Sequence, residues 1–258
     1  MLMVIDVGNT NMVFGVYQGR ALVGGFRMMT DTNRTSDEIG LTVDGYFNRF
    51  GMRLDQVRDV VIASVVPQVM YSLTSAIIKY CGRKPILVGD DMDAGLEYGV
   101  ESDERLGADR AVACVAAREK YGPPLIVLDY GTATTVDALD REGRYLGGSI
   151  TAGLKISTDA LYRSAAMLPR VELAMPGAML GTTTVGQMQA GSVGGYVGAT
   201  EYLVRRTKAE MPYPPEEIKV VATGGFARLI ADNTDVIDVV DPQLILDGMV
   251  SIYRRHKG

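Results

Sequence analysis

The 258-residue sequence has a single histidine and two cysteines. It has no basic run and no apolar stretch of transmembrane length. The histidine, His256, is among the last three residues, which leaves no basis for a Ser–His nucleophile or a His-rich metal centre. Cys81 and Cys114 form no C-x-x-C pair and are expected to be buried, reduced thiols. The net charge is −5 with both signs scattered, a pattern that points away from nucleic acid as a partner. A membrane-spanning helix needs about 20 apolar residues, and the chain opens on a strand-like segment rather than a signal peptide. A cytoplasmic protein without a membrane partner is therefore expected. There is no G-x-x-x-x-G-K-[ST] loop and no protein-kinase catalytic loop. "GSVGGYVG" (191–198) is out of register for G-x-G-x-x-G and falls on a predicted helix, where close helix packing is the better reading.

Apolar residues make up 47% of the chain, enough to fill the core of one large domain or two modest ones. The opening pattern predicts strands over 2–7, 12–17 and 20–28, then a helix over 36–49. Thr35 and Glu38 have capping-box spacing at its start, and Gly51 lies just past its end. A buried strand is expected over 57–66. A helix follows, with Pro67 in its first position and Gly82 closing it. Residues 85–89 read as another strand and 108–121 as a helix. The pattern then restarts with strands over 125–129, 134–140 and 144–150, and a helix from about Gly153. A long glycine-spotted helix is expected over 183–208, then strands over 218–225 and 235–240 and a closing helix ending near His256. Gly186, Gly191, Gly194, Gly195 and Gly198 in one helix imply a close backbone approach to another element, in the same subunit or a partner.

The two halves superpose as text. Asp6 and Gly8 match Asp129 and Gly131, Gly19-Arg20 matches Gly143-Arg144, and Gly24-Gly25 matches Gly147-Gly148. This implies an internal duplication, with domains 1–118 and 119–258. The first hairpins would face each other across a central cleft, with Asp6 and Asp129 on its walls.

A glycine turn offers backbone N–H groups to phosphate oxygens, and Asn9, Thr10 and Asn11 can add hydrogen bonds. A carboxylate beside such a site needs a cation, so Asp6 suits Mg²⁺, directly or through water. The alternative for a single hairpin is an aspartate that satisfies its own turn amides. Asp109 is either an acid favoured by the helix dipole in a first turn or a general base for an alcohol. In the second case Arg110 would fix an anionic group.

"DVGNTN" (6–11), "GADR" (107–110), "DYGTATTVD" (129–137), "GGSITAG" (147–153) and "TGG" (223–225) stand in the order found in type III pantothenate kinases. "RSAAMLPRVEL" (163–173) and "GTTTVGQMQAG" (181–191) are similar to that family's second half, so the resemblance runs from the first residues to the last helix. It implies an α/β protein with the duplicated actin/hexokinase/Hsp70-like (ribonuclease H-like) ATPase fold, two domains around a central cleft. It also implies ATP-dependent phosphorylation of pantothenate to 4'-phosphopantothenate, the first step towards coenzyme A.

On that resemblance, Asp6, Val7, Gly8, Asn9, Thr10, Asn11, Met12 and Val13 would hold ATP, together with Thr132. Asp6 would lie near Mg²⁺, and Asp109 would accept the proton. Gly107, Ala108, Asp109 and Arg110 would line the pantothenate site with Val100 and Thr184, the last from the same or the other subunit of a homodimer. Asp129 would bind K⁺ or NH₄⁺. Val100 stands where the family often has tyrosine and cannot donate a hydroxyl hydrogen bond, and Ala152 stands where it often has proline. The alternatives are a kinase of the same fold acting on another hydroxyl or carboxylate, or a non-catalytic regulator. A regulator would have no need of Asp6, Asp109 and Asp129 together.

Overall fold

The computed structural model of the protein describes residues 1–100 and 106–258. The chain divides into two compact units, one of residues 1–96, 106–116 and 244–258, the other of residues 97–100 and 117–243. The division differs from a single cut after residue 118 chiefly in the closing helix. That helix counts with the first unit, for a reason visible in its packing.

The first unit contains β1 (Leu2–Val7), β2 (Asn11–Gln18), β3 (Ala21–Met29), α1 (Ser36–Arg49), β4 (Asp59–Ser64), α2 (Pro67–Cys81) and β5 (Ile86–Leu87). α3 (Ala108–Tyr121) begins in it, and α8 (Leu244–Lys257) completes it. Its sheet has the order β3-β2-β1-β4-β5. β1 is antiparallel to β2 and parallel to β4. α1 starts where its capping box predicts: the Thr35 hydroxyl accepts from Glu38 N, and Glu38 Oε2 accepts from Thr35 N at 2.8 Å. Ile39, Val43 and Phe47, spaced four apart, put one apolar stripe of α1 into the core. α2 opens on Pro67 and ends on Gly82 at φ +65°. On the other face of the sheet, Leu246, Met249, Val250 and Ile252 of α8 pack with Val4, Val61 and Ala63. Gly248 lets α3 close onto α8, because a Cβ there would stand 2.8 Å from that of Ala116. The Tyr17 hydroxyl donates to Asp247 at 2.7 Å, and that of Tyr253 to Asp59 at 2.7 Å.

The second unit contains β6 (Leu125–Tyr130), β7 (Ala133–Leu139), β8 (Tyr145–Ala152), α4 (Leu154–Ser164), α5 (Thr184–Gln189), α6 (Gly195–Glu210), β9 (Lys219–Gly224), α7 (Ala227–Ala231) and β10 (Val239–Val240). Its sheet, β8-β7-β6-β9-β10, repeats the first one strand for strand. The register repeats too. Val16 pairs with Gly24 and Ala138 with Gly147, and each hairpin has a bulge directly after that pair. The glycines matched in sequence are therefore the residues at which both hairpins bend.

Several elements differ from expectation. The strand expected over 57–66 is Asp59–Ser64, that over 85–89 is Ile86–Leu87, and that over 235–240 is Val239–Val240. The helix expected over 183–208 is helical throughout, but Ala190–Gly194 adopts π geometry between α5 and α6. The Cys81 thiol is buried, and burial pushes its pKa up to about 11, so it stays protonated near neutral pH. Among the described residues no helix is long and apolar enough to cross a membrane.

Candidate active site

In the first unit the candidate residues gather at the C-terminal ends of the parallel strands β1 and β4, the end at which open α/β sheets bind ligands. Asp6 is the penultimate residue of β1, and its Oδ1 is shielded from solvent. The turn closes through Gly8 N donating to Asn11 O at 3.1 Å, which leaves Asn9 and Thr10 exposed at the tip. Thr30 braces it, its hydroxyl donating to Gly8 O at 2.7 Å. Gly8 is not in the left-handed region, so its value lies in the open approach it gives to the turn's amides. Val7 and Met12 bury their side chains completely in the core, so each could meet a ligand only through its backbone.

Asp109 lies in the first turn of α3, partly buried. Arg110 N donates to its Oδ1 at 2.7 Å. Burial raises its pKa above the ordinary aspartate value, opposed by that backbone hydrogen bond and the Arg110 charge. Gly107 is required by close approach. A Cβ there would stand 2.9 Å from Asp109 Oδ1 and 3.3 Å from Val65 Cγ1. Val65, just past β4, donates its N–H to Val7 O at 3.2 Å. Val65 is thus hydrogen-bonded to the strand end that carries Asp6 and lies close beside Gly107 of the GADR segment.

The second unit repeats the plan. Asp129 precedes the turn at the end of β6, which closes through Gly131 N donating to Ala133 O at 3.0 Å. The parallel strand β9 brings Thr223 opposite Asp129 and Gly224 opposite Tyr130. Gly224 has φ +93°, and a Cβ there would stand 2.5 Å from Asp129 Oδ1. "TGG" is therefore the backbone wall of the Asp129 carboxylate. Thr223 and Gly224 were not among the expected site residues. The signal that could have found them was the pairing of two glycine turns on adjacent parallel strands.

Thr184 is exposed at the first turn of α5, and it lines a cavity of about 750 Å³ between α4, the α5–α6 helix and the sheet. Val100 is exposed and follows Gly99, whose N–H is held by Tyr145 O at 2.8 Å. Gly107, Ala108, Asp109 and Arg110 belong to one unit; Val100, Thr132 and Thr184 belong to the other.

The model of the type III pantothenate kinase family matches residues 2–206. The chain belongs to this family. Over 256 residues it is 44% identical to the type III pantothenate kinase of Geobacillus kaustophilus, covering 99% of this chain and 98% of that one. The type III pantothenate kinase of Exiguobacterium sibiricum is 44% identical over the full length of both chains. Among solved structures, the (R)-2-hydroxyglutaryl-CoA dehydratase component A of Acidaminococcus fermentans aligns at TM-score 0.56 and 12% identity, over 100% of this chain and 99% of that one. That likeness bears on the fold alone, the two-domain ATPase fold of the actin/hexokinase kind.

Proposed function

We propose that the protein is an ATP-dependent pantothenate kinase of the cytoplasm, making 4'-phosphopantothenate for coenzyme A synthesis. The observation that carries this is the full-length match to type III pantothenate kinases, with Asp6, Asp109 and Asp129 all in place. The Asp6–Val13 turn would hold the ATP phosphates through its amides, with Asn9, Thr10 and Asn11 adding side-chain donors. Thr132 would do the same from the second turn. Asp6 would hold Mg²⁺ through water, and Mg²⁺ would neutralise charge on the transferring phosphoryl group.

Gly107, Ala108, Arg110, Val100 and Thr184 would position pantothenate, Arg110 by its charge. Asp109 takes the proton from the terminal hydroxyl as that oxygen bonds to the γ-phosphorus. The bond from that phosphorus to the bridging oxygen breaks, and ADP leaves. The raised pKa of Asp109 makes it a better proton acceptor than an exposed aspartate.

Asp129 is assigned a monovalent cation, K⁺ or NH₄⁺. Among the described residues no three His, Cys, Asp or Glu side chains cluster as a metal site would need, and a cation at Asp129 would share its shell with neutral oxygens. A coupled ATP assay tests the whole reading. ADP formation should require pantothenate and should be several-fold faster in K⁺ than in Na⁺. Turnover with other hydroxyl or carboxylate acceptors but not with pantothenate would overturn the substrate. Equal rates in the two salts would remove the cation.

A homodimer is part of the same reading. Gly191, Gly195 and Ala199, spaced four apart, are exposed along the open cavity, and a Cβ at Gly191 or Gly195 would meet nothing within 4 Å. Exposed apolar side chains accompany them in this unit, with Met167 91% and Leu180 92% exposed. Gly194 has a different reason to be glycine: a Cβ there would stand 2.7 Å from the sulfur of Met179 in the same chain. Gly195→Leu is therefore the cleaner test. It should leave the melting temperature nearly unchanged while light scattering reports monomers with weakened pantothenate binding. An unchanged dimer would remove this helix face from the interface.

A further inference from the structure

Thr135 Oγ1 is a buried hydroxyl oxygen with no hydrogen-bond partner among the described residues, and the residue is only 9% exposed. Such orphaned groups are rare, because each loses its hydrogen bonds to water and gains none in return, and each calls for a specific explanation. The position of this one supplies it. Thr135 stands directly opposite Asp129 across the antiparallel β6–β7 pair, and Thr223 stands opposite Asp129 on the other side. The three side chains therefore form a row on one face of the sheet, with Asp129 in the middle. The Asp129 carboxylate reaches towards the strand ends, its Oδ1 2.5 Å from where a Gly224 Cβ would stand and 3.9 Å from where one on Gly131 would. Asp137, the next residue of β7 on this face, leans towards β8: its Oδ1 is 3.0 Å from where a Gly148 Cβ would stand.

The geometry points to Thr135 as a further ligand of the monovalent cation, its hydroxyl oxygen completing the shell that Asp129 begins. The inference rests on the assignment of that cation to Asp129. A threonine hydroxyl has two acceptor lone pairs and no charge. It can coordinate a cation without adding negative charge, which suits a singly charged ion beside one carboxylate. The cation would also give the orphaned oxygen the partner that the described residues do not provide.

Thallium-205 NMR on the full-length protein, with Mg²⁺ and a non-hydrolysable ATP analogue, reads Tl⁺ as a K⁺ mimic without turnover. The parent should bind Tl⁺ and release it to K⁺, and Asp129→Asn should abolish binding. Thr135→Val should weaken it by about tenfold or more, in the range seen when groups supporting a metal are removed. Thr135→Ser should restore it. In Na⁺ alone, Thr135→Val should melt at or above the parent temperature, because it deletes an unsatisfied hydroxyl while keeping shape. Parent-like Tl⁺ affinity in Thr135→Val, with binding lost in Asp129→Asn, would overturn the role of Thr135 and leave the Asp129 site standing. So would a clear fall in the Na⁺ melting temperature, or a loss confined to nucleotide affinity. Absence of Tl⁺ binding in the parent would overturn the cation site and this inference together.

Discussion

Asp109→Asn is expected to lower kcat by at least about 10²-fold, the contribution of a general base. Its folding should remain intact. Asparagine keeps the oxygen that accepts the Arg110 N–H, so the first turn of α3 retains its local hydrogen bond. The stability sign follows from the pKa. The folded state raises it, so the folded state binds this proton more tightly than the unfolded chain. The associated stabilisation is complete below the ordinary aspartate value and is lost as pH rises through the raised one. At neutral pH the ionised, partly buried carboxylate is thus a burden that asparagine relieves, and the variant should melt no lower than the parent. In the parent, kcat should fall on the acid side as pH drops through the raised Asp109 value, at higher pH than an exposed aspartate would titrate. Steady-state kinetics across pH, beside calorimetry, checks both. Near-parental turnover in Asp109→Asn would remove Asp109 from the mechanism.

Gly224→Ala should be strongly damaging, and its damage should centre on Asp129. At φ +93° an L side chain is strained, by about 1–2 kcal/mol on the left-handed-helix scale. Its methyl would also stand 2.5 Å from Asp129 Oδ1 and 2.6 Å from Tyr130 N and O. Overpacking adds about 1–3 kcal/mol, for a total of about 2–5 kcal/mol. Relief requires β9 or the Asp129 carboxylate to move, and a displacement of about 1 Å can cost about 10²-fold in rate. Gly225→Ala is the control, because its Cβ would meet nothing within 4 Å. Equal melting temperatures and rates for the two variants would show that the wall around Asp129 yields freely.

Local signals were legible in the sequence. The Thr35–Glu38 box, Pro67 and Gly82 act within one or two turns of where they stand, and they set helix ends at those residues. The glycine matches between the halves carried through to strand order and bulge position because the hairpins are built from contiguous chain. Features that depend on distant partners were not legible. A 3.6-residue apolar period does not reveal the extra residue per turn in Ala190–Gly194. Gly194 is explained by Met179, and the place of Thr223 and Gly224 beside Asp129 by strands that meet only in the fold. Apolar runs overstated three strands, since hydrophobicity reports burial and ladder pairing decides strand length. The named catalytic and binding positions came through family resemblance; composition alone left both Asp6 and Asp109 with two readings.

The closing helix has a bearing on synthesis. Chains emerge N-terminus first, and domains generally fold as they become complete. The unit that holds Asp6 and Asp109 is finished by Leu244–Lys257, which leaves the ribosome after the whole of the second unit. Until then the sheet face bearing Val4, Val61 and Ala63 lacks its cover of Leu246, Met249 and Ile252. The second unit, continuous from residue 117 to 243, is available to fold first. The unit begun by Met1–Leu96 therefore matures after the unit translated behind it, and a nascent chain stalled before Leu244 would expose that apolar face to chaperones.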